Sequence, residues 1–146
     1  MSRALWKGLA RPPFALSALP QGSETVLVVE DEPGVRGLVE SMLELHGYQV
    51  LVAASAGEAL TLATEHDGRI HLLLTDIDMP DMSGRELAQR LRSRRPDMRL
   101  LYMSGHSDGD VAGYGVLASG TLFLQKPFTV SALTARVREV LDNQSW

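Results

Sequence analysis

Cysteine is absent from the chain, which removes disulfide frameworks, thiolate zinc sites and cysteine nucleophiles and suits a reducing cytoplasm. Long apolar runs are absent too. Nothing approaches the roughly 20 residues of a membrane span, and the first residues lack the continuous apolar stretch of a signal peptide. The expectation is a cytoplasmic protein with no membrane partner. A basic surplus is also missing, since 14 Lys and Arg stand against 18 Asp and Glu, for a formal net charge of -4. Residues 1–20 hold Arg3, Lys7 and Arg11 and no acid, so the other 11 basic and all 18 acidic residues leave the body at -7. That is the opposite of the basic stripe that binds nucleic acid, and no nucleic-acid partner is expected. Aromatics make up only 5%, so Leu, Val and Ala must supply the core.

What is present, 146 residues with 45% hydrophobic and 22% charged, suits one globular domain with a short extension. Pro12, Pro13, Pro20 and Gly22 punctuate residues 1–23, whose apolar residues keep no period, so this stretch reads as a flexible leader or linker and residues 24–143 as the domain. From Thr25 onward, short apolar runs alternate with segments of helical period. Residues 25–30, 48–53, 70–75, 98–103 and 121–125 read as five strands, the first Val-rich and apolar on both faces as a buried parallel strand is. Between them, Pro33 suits a first helical turn, and Val35, Leu38, Val39 and Met42 form one face before Gly47. Ser55 with Glu58, and Ser83 with Glu86, are capping boxes that open two further helices. The first carries Ala56, Ala59, Leu60 and Ala63 inward, and the second Leu87 and Leu91. A last helix over about 129–142 turns Leu133, Val137, Val140 and Leu141 inward. Gly109, Gly113 and Gly115 weaken a helix over 108–118, each costing up to about 1 kcal/mol relative to Ala. Five strand-helix units in a row predict an α/β fold, an open parallel sheet with helices on both faces.

In such sheets chemistry collects outside the carboxyl ends of the strands. Those ends carry Glu30 and Asp31, Asp76, Ser104 and Lys126. Taken singly, an acid there is a helix cap, a serine is commonplace and a lysine is a solvated surface group. Their joint placement on one rim says more. Converging carboxylates need a cation, and oxygen-only ligands point to Mg²⁺. A lysine and a hydroxyl beside them suit the oxygens of a phosphoryl group. Asp81 and Asp97 fall in polar turns and read as ordinary turn residues.

The segments VVEDE at 28–32, LLLTDIDMPDMSG at 72–84, LYMSGH at 101–106 and LQKPF at 124–128 together resemble the receiver domains of response regulators and hybrid histidine kinases, over about residues 24–142. The resemblance implies a flavodoxin-like (βα)5 three-layer sandwich with strand order 2-1-3-4-5. It implies Asp76 as phosphoacceptor, Mg²⁺ held by Asp31, Asp76 and the backbone carbonyl of Asp78, and Glu30 assisting through water. Ser104 and Lys126 would contact the phosphoryl group, Phe123 would stand at the aromatic switch position, and the bond before Pro127 would be cis. The implied partner is a histidine kinase or a histidine phosphotransfer protein. The implied output face, and a surface for a homodimer, is residues 108–118 with the fifth strand and the final helix. Two features depart from the family pattern. Phe123 lacks a tyrosine hydroxyl, and Asp78 adds a carboxylate two residues after the acceptor.

Two other readings compete. Asp76, Ile77 and Asp78 also fit the Asp-x-Asp of a haloacid-dehalogenase-like phosphatase, but that motif opens its domain, whereas here it follows the third strand. A receiver-like docking module without phosphorylation would have lost the acceptor, an acid or the lysine, and none is lost. The Pro-containing segment before QGSETVLVVEDEP resembles the lead into a receiver at the C-terminal end of a hybrid kinase, with a free-standing regulator as the alternative.

Overall fold

The computed structural model describes residues 19–105 and 123–143. The expected helix over 108–118, with Gly109, Gly113 and Gly115, lies outside the described residues, as do residues 1–18 of the expected leader. Five strands, β1 (Thr25–Val29), β2 (Gln49–Ala53), β3 (Leu72–Asp76), β4 (Arg99–Ser104) and β5 (Phe123–Gln125), form one parallel sheet in the order β2-β1-β3-β4-β5. This is the flavodoxin-like order that the resemblance implied. Four helices are described: α1 (Pro33–Leu45), α2 (Ala56–Glu65), α3 (Gly84–Arg94) and α4 (Val130–Asp142).

Side chains alternate across each strand, so the sheet feeds two cores. Val26 and Val28 of β1 join Val39 and Leu43 of α1 and Leu133 and Val137 of α4 on one face. Leu27 and Val29 join Ala56 and Ala59 of α2 and Leu87 and Leu91 of α3 on the other. Helices on both faces of the sheet make three layers.

Sequence and structure differ at the edges of elements. Leu38, expected on the buried face of α1, is 54% exposed. The buried stripe runs through Val35, Val39, Met42 and Leu43, and Leu38 lies about 100° around the axis from Val39. Glu30 falls just beyond β1, although its amide still donates to the Ala53 carbonyl at 3.1 Å. Tyr48 and Ile70 precede their strands as buried anchors, while β3 and β4 each run one residue further than expected and take in Asp76 and Ser104.

Ser55, Ser83 and Thr129 cap α2, α3 and α4 by accepting the amide three residues on. The reciprocal half of the two capping boxes is altered. Glu58 accepts from the Ala54 amide, one residue before the cap, and Glu86 pairs with Arg90 instead. After α1 the chain reverses at Gly47, whose φ of 103° lies in the left-handed region. The Gly22 carbonyl also presses on it where a side chain would stand. The stretch leading into β1 is held by Arg138 of α4, which donates to Glu24 Oε2 at 2.7 Å, to the Tyr48 hydroxyl at 3.2 Å and to the Gln21 carbonyl at 3.3 Å.

Candidate functional site

β1 and β3 are neighbours at the centre of the sheet, so their carboxyl ends bring Glu30, Asp31 and Asp76 together. One carboxylate oxygen from each lies within 4.8 Å of the others. β5 sits two strands away from β3, and the long side chain of Lys126 crosses that gap. Its Nζ lies 2.8 Å from Asp76 Oδ1 and 2.5 Å from Glu30 Oε1. The Lys126–Pro127 peptide is cis. Ser104, which ends β4 between them, is buried and accepts the Lys126 amide on its carbonyl at 2.7 Å.

The turn after β1 is fixed by its own polar groups. Glu30 Oε2 accepts the Glu32 amide at 3.0 Å, Arg36 donates to the Glu30 carbonyl at 2.8 Å, and the Glu32 carboxylate caps α1 through the amides of Gly34 and Val35. Past β3, the Gly84 amide donates to the Ile77 carbonyl at 2.6 Å, which closes the loop that carries Asp78. A Cβ on Gly84 would overlap the Asp76 carbonyl oxygen, so the close approach requires glycine there.

The electrostatics follow from burial. Glu30 is 1% and Asp76 5% exposed. Burial, reinforced by the adjacent Glu30 carboxylate, pushes the Asp76 carboxyl up to about 7 against the pull of Lys126. Burial also pushes Glu30 up, but its hydrogen bonds with Asp76, Lys126 and the Glu32 amide outweigh this and hold it below the usual range. Lys126 is raised because its bonds to Asp76 and Glu30 outweigh desolvation. The two carboxyls thus titrate as a pair, Asp76 displaced upward and Glu30 downward. Three acids against one lysine form a donor set of hard oxygens with surplus negative charge, which fits a divalent cation.

The structure brings Glu30, Asp31, Asp76, Ser104 and Lys126 to one rim. Asp31, whose carboxylate belongs to that cluster, and Asp78 are both exposed. Phe123 lies apart from the carboxylates, buried beside Tyr102 in the core under α2 and α3. Sequence reasoning missed Glu32 and Arg36, which orient the acid pair. An acid directly before Pro33 was the available signal for a cap. It also left Asp81 as a turn residue, whereas the Asp81 carboxylate holds the first amides of α2. With the nucleophile candidate closing the third strand, the phosphatase reading loses its support.

Residues 26–138 match the model of the response regulator receiver domain. The chain is 37% identical over 123 residues to the sensor kinase CckA of Brucella abortus (strain 2308), which covers 84% of this chain and 13% of that protein. The transcriptional regulatory protein PrrA of Mycobacterium tuberculosis (strain ATCC 25618 / H37Rv) is 35% identical, over 82% of this chain and 50% of its own length. The chain thus spans half or less of these relatives. Among solved structures, the receiver domain of the hybrid histidine kinase CckA aligns with a TM-score of 0.67 at 35% identity, covering 81% of this chain and 99% of that one. The response regulator TrrA of Thermotoga maritima, in complex with Mg²⁺-BeF, aligns with a TM-score of 0.65 at 27% identity, over 80% of this chain and 98% of that one. No helix among the described residues is long and apolar enough to cross a membrane. On fold, rim and family match together, the chain belongs to the response regulator receiver domain family.

Proposed function

We propose that this receiver domain accepts a phosphoryl group on Asp76 from the phosphohistidine of a histidine kinase or histidine phosphotransfer protein, and passes the signal on as a change of shape. The observation that carries the reading is the Lys126 amine, 2.8 Å from Asp76 and 2.5 Å from Glu30 on a rim that also holds Asp31. In the transfer, Asp76 attacks phosphorus, a P–O bond to its carboxylate forms, the P–N bond breaks and the imidazole leaves. Lys126 offsets charge on the transferred oxygens, and the Ser104 hydroxyl donates to one of them. Asp31, Asp76 and the Asp78 carbonyl would hold Mg²⁺, with Glu30 acting through water. The cation supplies positive charge beside the transferred oxygens. Binding of the Mg²⁺-BeF complex by the similar TrrA supports that assignment.

On this reading the domain catalyses its own phosphorylation and dephosphorylation and acts on no separate substrate. Asp78, exposed beside the acceptor, governs water access and so the lifetime of the acyl phosphate. The output face is residues 108–118, β5 with Phe123, and α4, which would also serve a homodimer. Any switching at Phe123 rests on packing, since that ring carries no hydroxyl. The decisive experiment incubates the chain with acetyl phosphate or a phosphorylated kinase and Mg²⁺ and follows acyl phosphate by mass. Asp76→Asn should abolish labelling, and full labelling of that variant overturns the assignment. With beryllofluoride, amide exchange should change most on the proposed output face. Changes confined to α1 and α2 would move the output elsewhere.

A further inference from the structure

The loop from Ile77 to Ser83 carries Asp78 and is closed at its base by the Gly84 amide on the Ile77 carbonyl. Ile77, Met79 and Met82 of this loop pack on the core under α2 and α3. Its one acid beyond Asp78 does something that its position in the sequence does not announce. Asp81 Oδ2 accepts the Gly57 amide at 3.0 Å and Oδ1 the Ala56 amide at 3.4 Å, across 24 and 25 residues of chain. Those are the first two amides of α2. A helix start leaves such donors without intrahelical partners, and the local cap serves only one of them: Ser55 Oγ accepts the Glu58 amide at 3.1 Å. Asp81 completes the start of α2 from the loop that follows the phosphoacceptor. The same two bonds therefore tie that loop to a helix packed on the sheet.

We propose that Asp81 is a positioning residue for the phosphoryl-accepting site: by gripping the first turn of α2 it fixes the 77–83 loop, and with it the place where the Asp78 carbonyl meets the metal ion. The proposal rests on the receiver reading above, and it adds a residue outside the acids, hydroxyl and lysine of the rim. Asp81 is exposed, and among the described residues the hydrogen bonds of its carboxylate come from backbone amides, so its loss removes none of the ligands assigned above. What it loses is the registration between loop and helix. Outer-shell groups that orient metal ligands typically change affinity by about 10–100-fold when removed, and a single anchor at a solvent-facing loop belongs at the low end.

The test titrates Mg²⁺ calorimetrically into the full chain and three variants, with amide exchange read at Ala56, Gly57 and Glu58. Asp81→Ala should raise the Mg²⁺ dissociation constant about tenfold, and Asp81→Asn, which keeps one acceptor oxygen, should fall between. Ser55→Ala is the control, because it uncaps the same helix without touching the loop. It should speed exchange in the first turn yet leave Mg²⁺ affinity within about twofold. If Asp81→Ala binds Mg²⁺ like the unsubstituted chain, or if Ser55→Ala weakens binding equally, Asp81 is only a cap and the proposal is wrong. Failure of the unsubstituted chain to bind Mg²⁺ would instead overturn the receiver-site reading, and this proposal with it.

Discussion

Replacing the phosphoacceptor should make the domain more stable. Asp76 is buried beside Glu30, and its carboxyl is pushed from an ordinary 3.8 up to about 7. A carboxyl that holds its proton more tightly in the fold than in the unfolded chain contributes stability fully present below about pH 4 and lost as the pH rises toward 7. Taken alone, that displacement sets an upper bound of roughly 4 kcal/mol. Glu30 moves the opposite way, so the pair's net cost at pH 8 is smaller than that bound. Asp76→Asn removes the charge, keeps the shape, and lets an amide N–H face Glu30 where a carboxylate stood. For a domain of this length each kcal/mol gained should appear as a rise in Tm of about 2–4 °C. The assay is thermal unfolding of both proteins at pH 5 and pH 8, with chelator and then with Mg²⁺. The gap should be wide at pH 8, narrower at pH 5, and reduced by Mg²⁺, which compensates the charge only in the unsubstituted chain. A lower Tm for the variant at pH 8, or a gap independent of pH, would refute the argument.

Three further outcomes follow from other parts of the structure. Asp31→Ala should weaken Mg²⁺ binding at least tenfold, because a hard oxygen ligand and a compensating charge leave together; an unchanged titration would make Asp31 a loop acid. Gly84→Ala drives a methyl into the Asp76 carbonyl oxygen, so it should cost at least about 2 kcal/mol in denaturant unfolding, and a neutral result would show that the loop can move away. Arg138→Met should destabilise the domain by about 1–2 kcal/mol, the scale of a lost hydrogen bond to a charged group at a part-exposed site. It should also flatten acid unfolding between pH 4.5 and 2. The bond to Arg138 holds Glu24 down at about 2, a contribution present above pH 4.5 and lost below it. Unchanged acid unfolding in that variant would place the loss elsewhere.

The sequence alone determined the kind of fold and the kind of chemistry. Short apolar runs of strand length, alternating five times with amphipathic segments that carry helix caps, leave few arrangements besides a parallel sheet covered by helices. Polar residues that close those runs had to converge on one rim, so Glu30, Asp31, Asp76, Ser104 and Lys126 could be named from spacing and order. Element ends were less legible because hydrogen bonding to a neighbouring strand, absent from the linear pattern, decides them. Asp76 and Ser104 became strand residues for that reason. Leu38 was placed on the wrong face because periodicity gives the width of an apolar stripe but not which edge of it meets the sheet.

Only the tertiary structure decided the contacts between residues far apart in the chain. Lys126 reaches Glu30 across 96 residues, Arg138 reaches Glu24 across 114, and Asp81 caps a helix that begins 25 residues before it. A side chain's type records what it can bond to. Which partner it meets depends on strand order and loop path, and those are set by the packing of both sheet faces at once. The raised carboxyl of Asp76 is likewise a product of the assembled rim, since burial and the nearness of Glu30 exist only once β1 and β3 lie side by side.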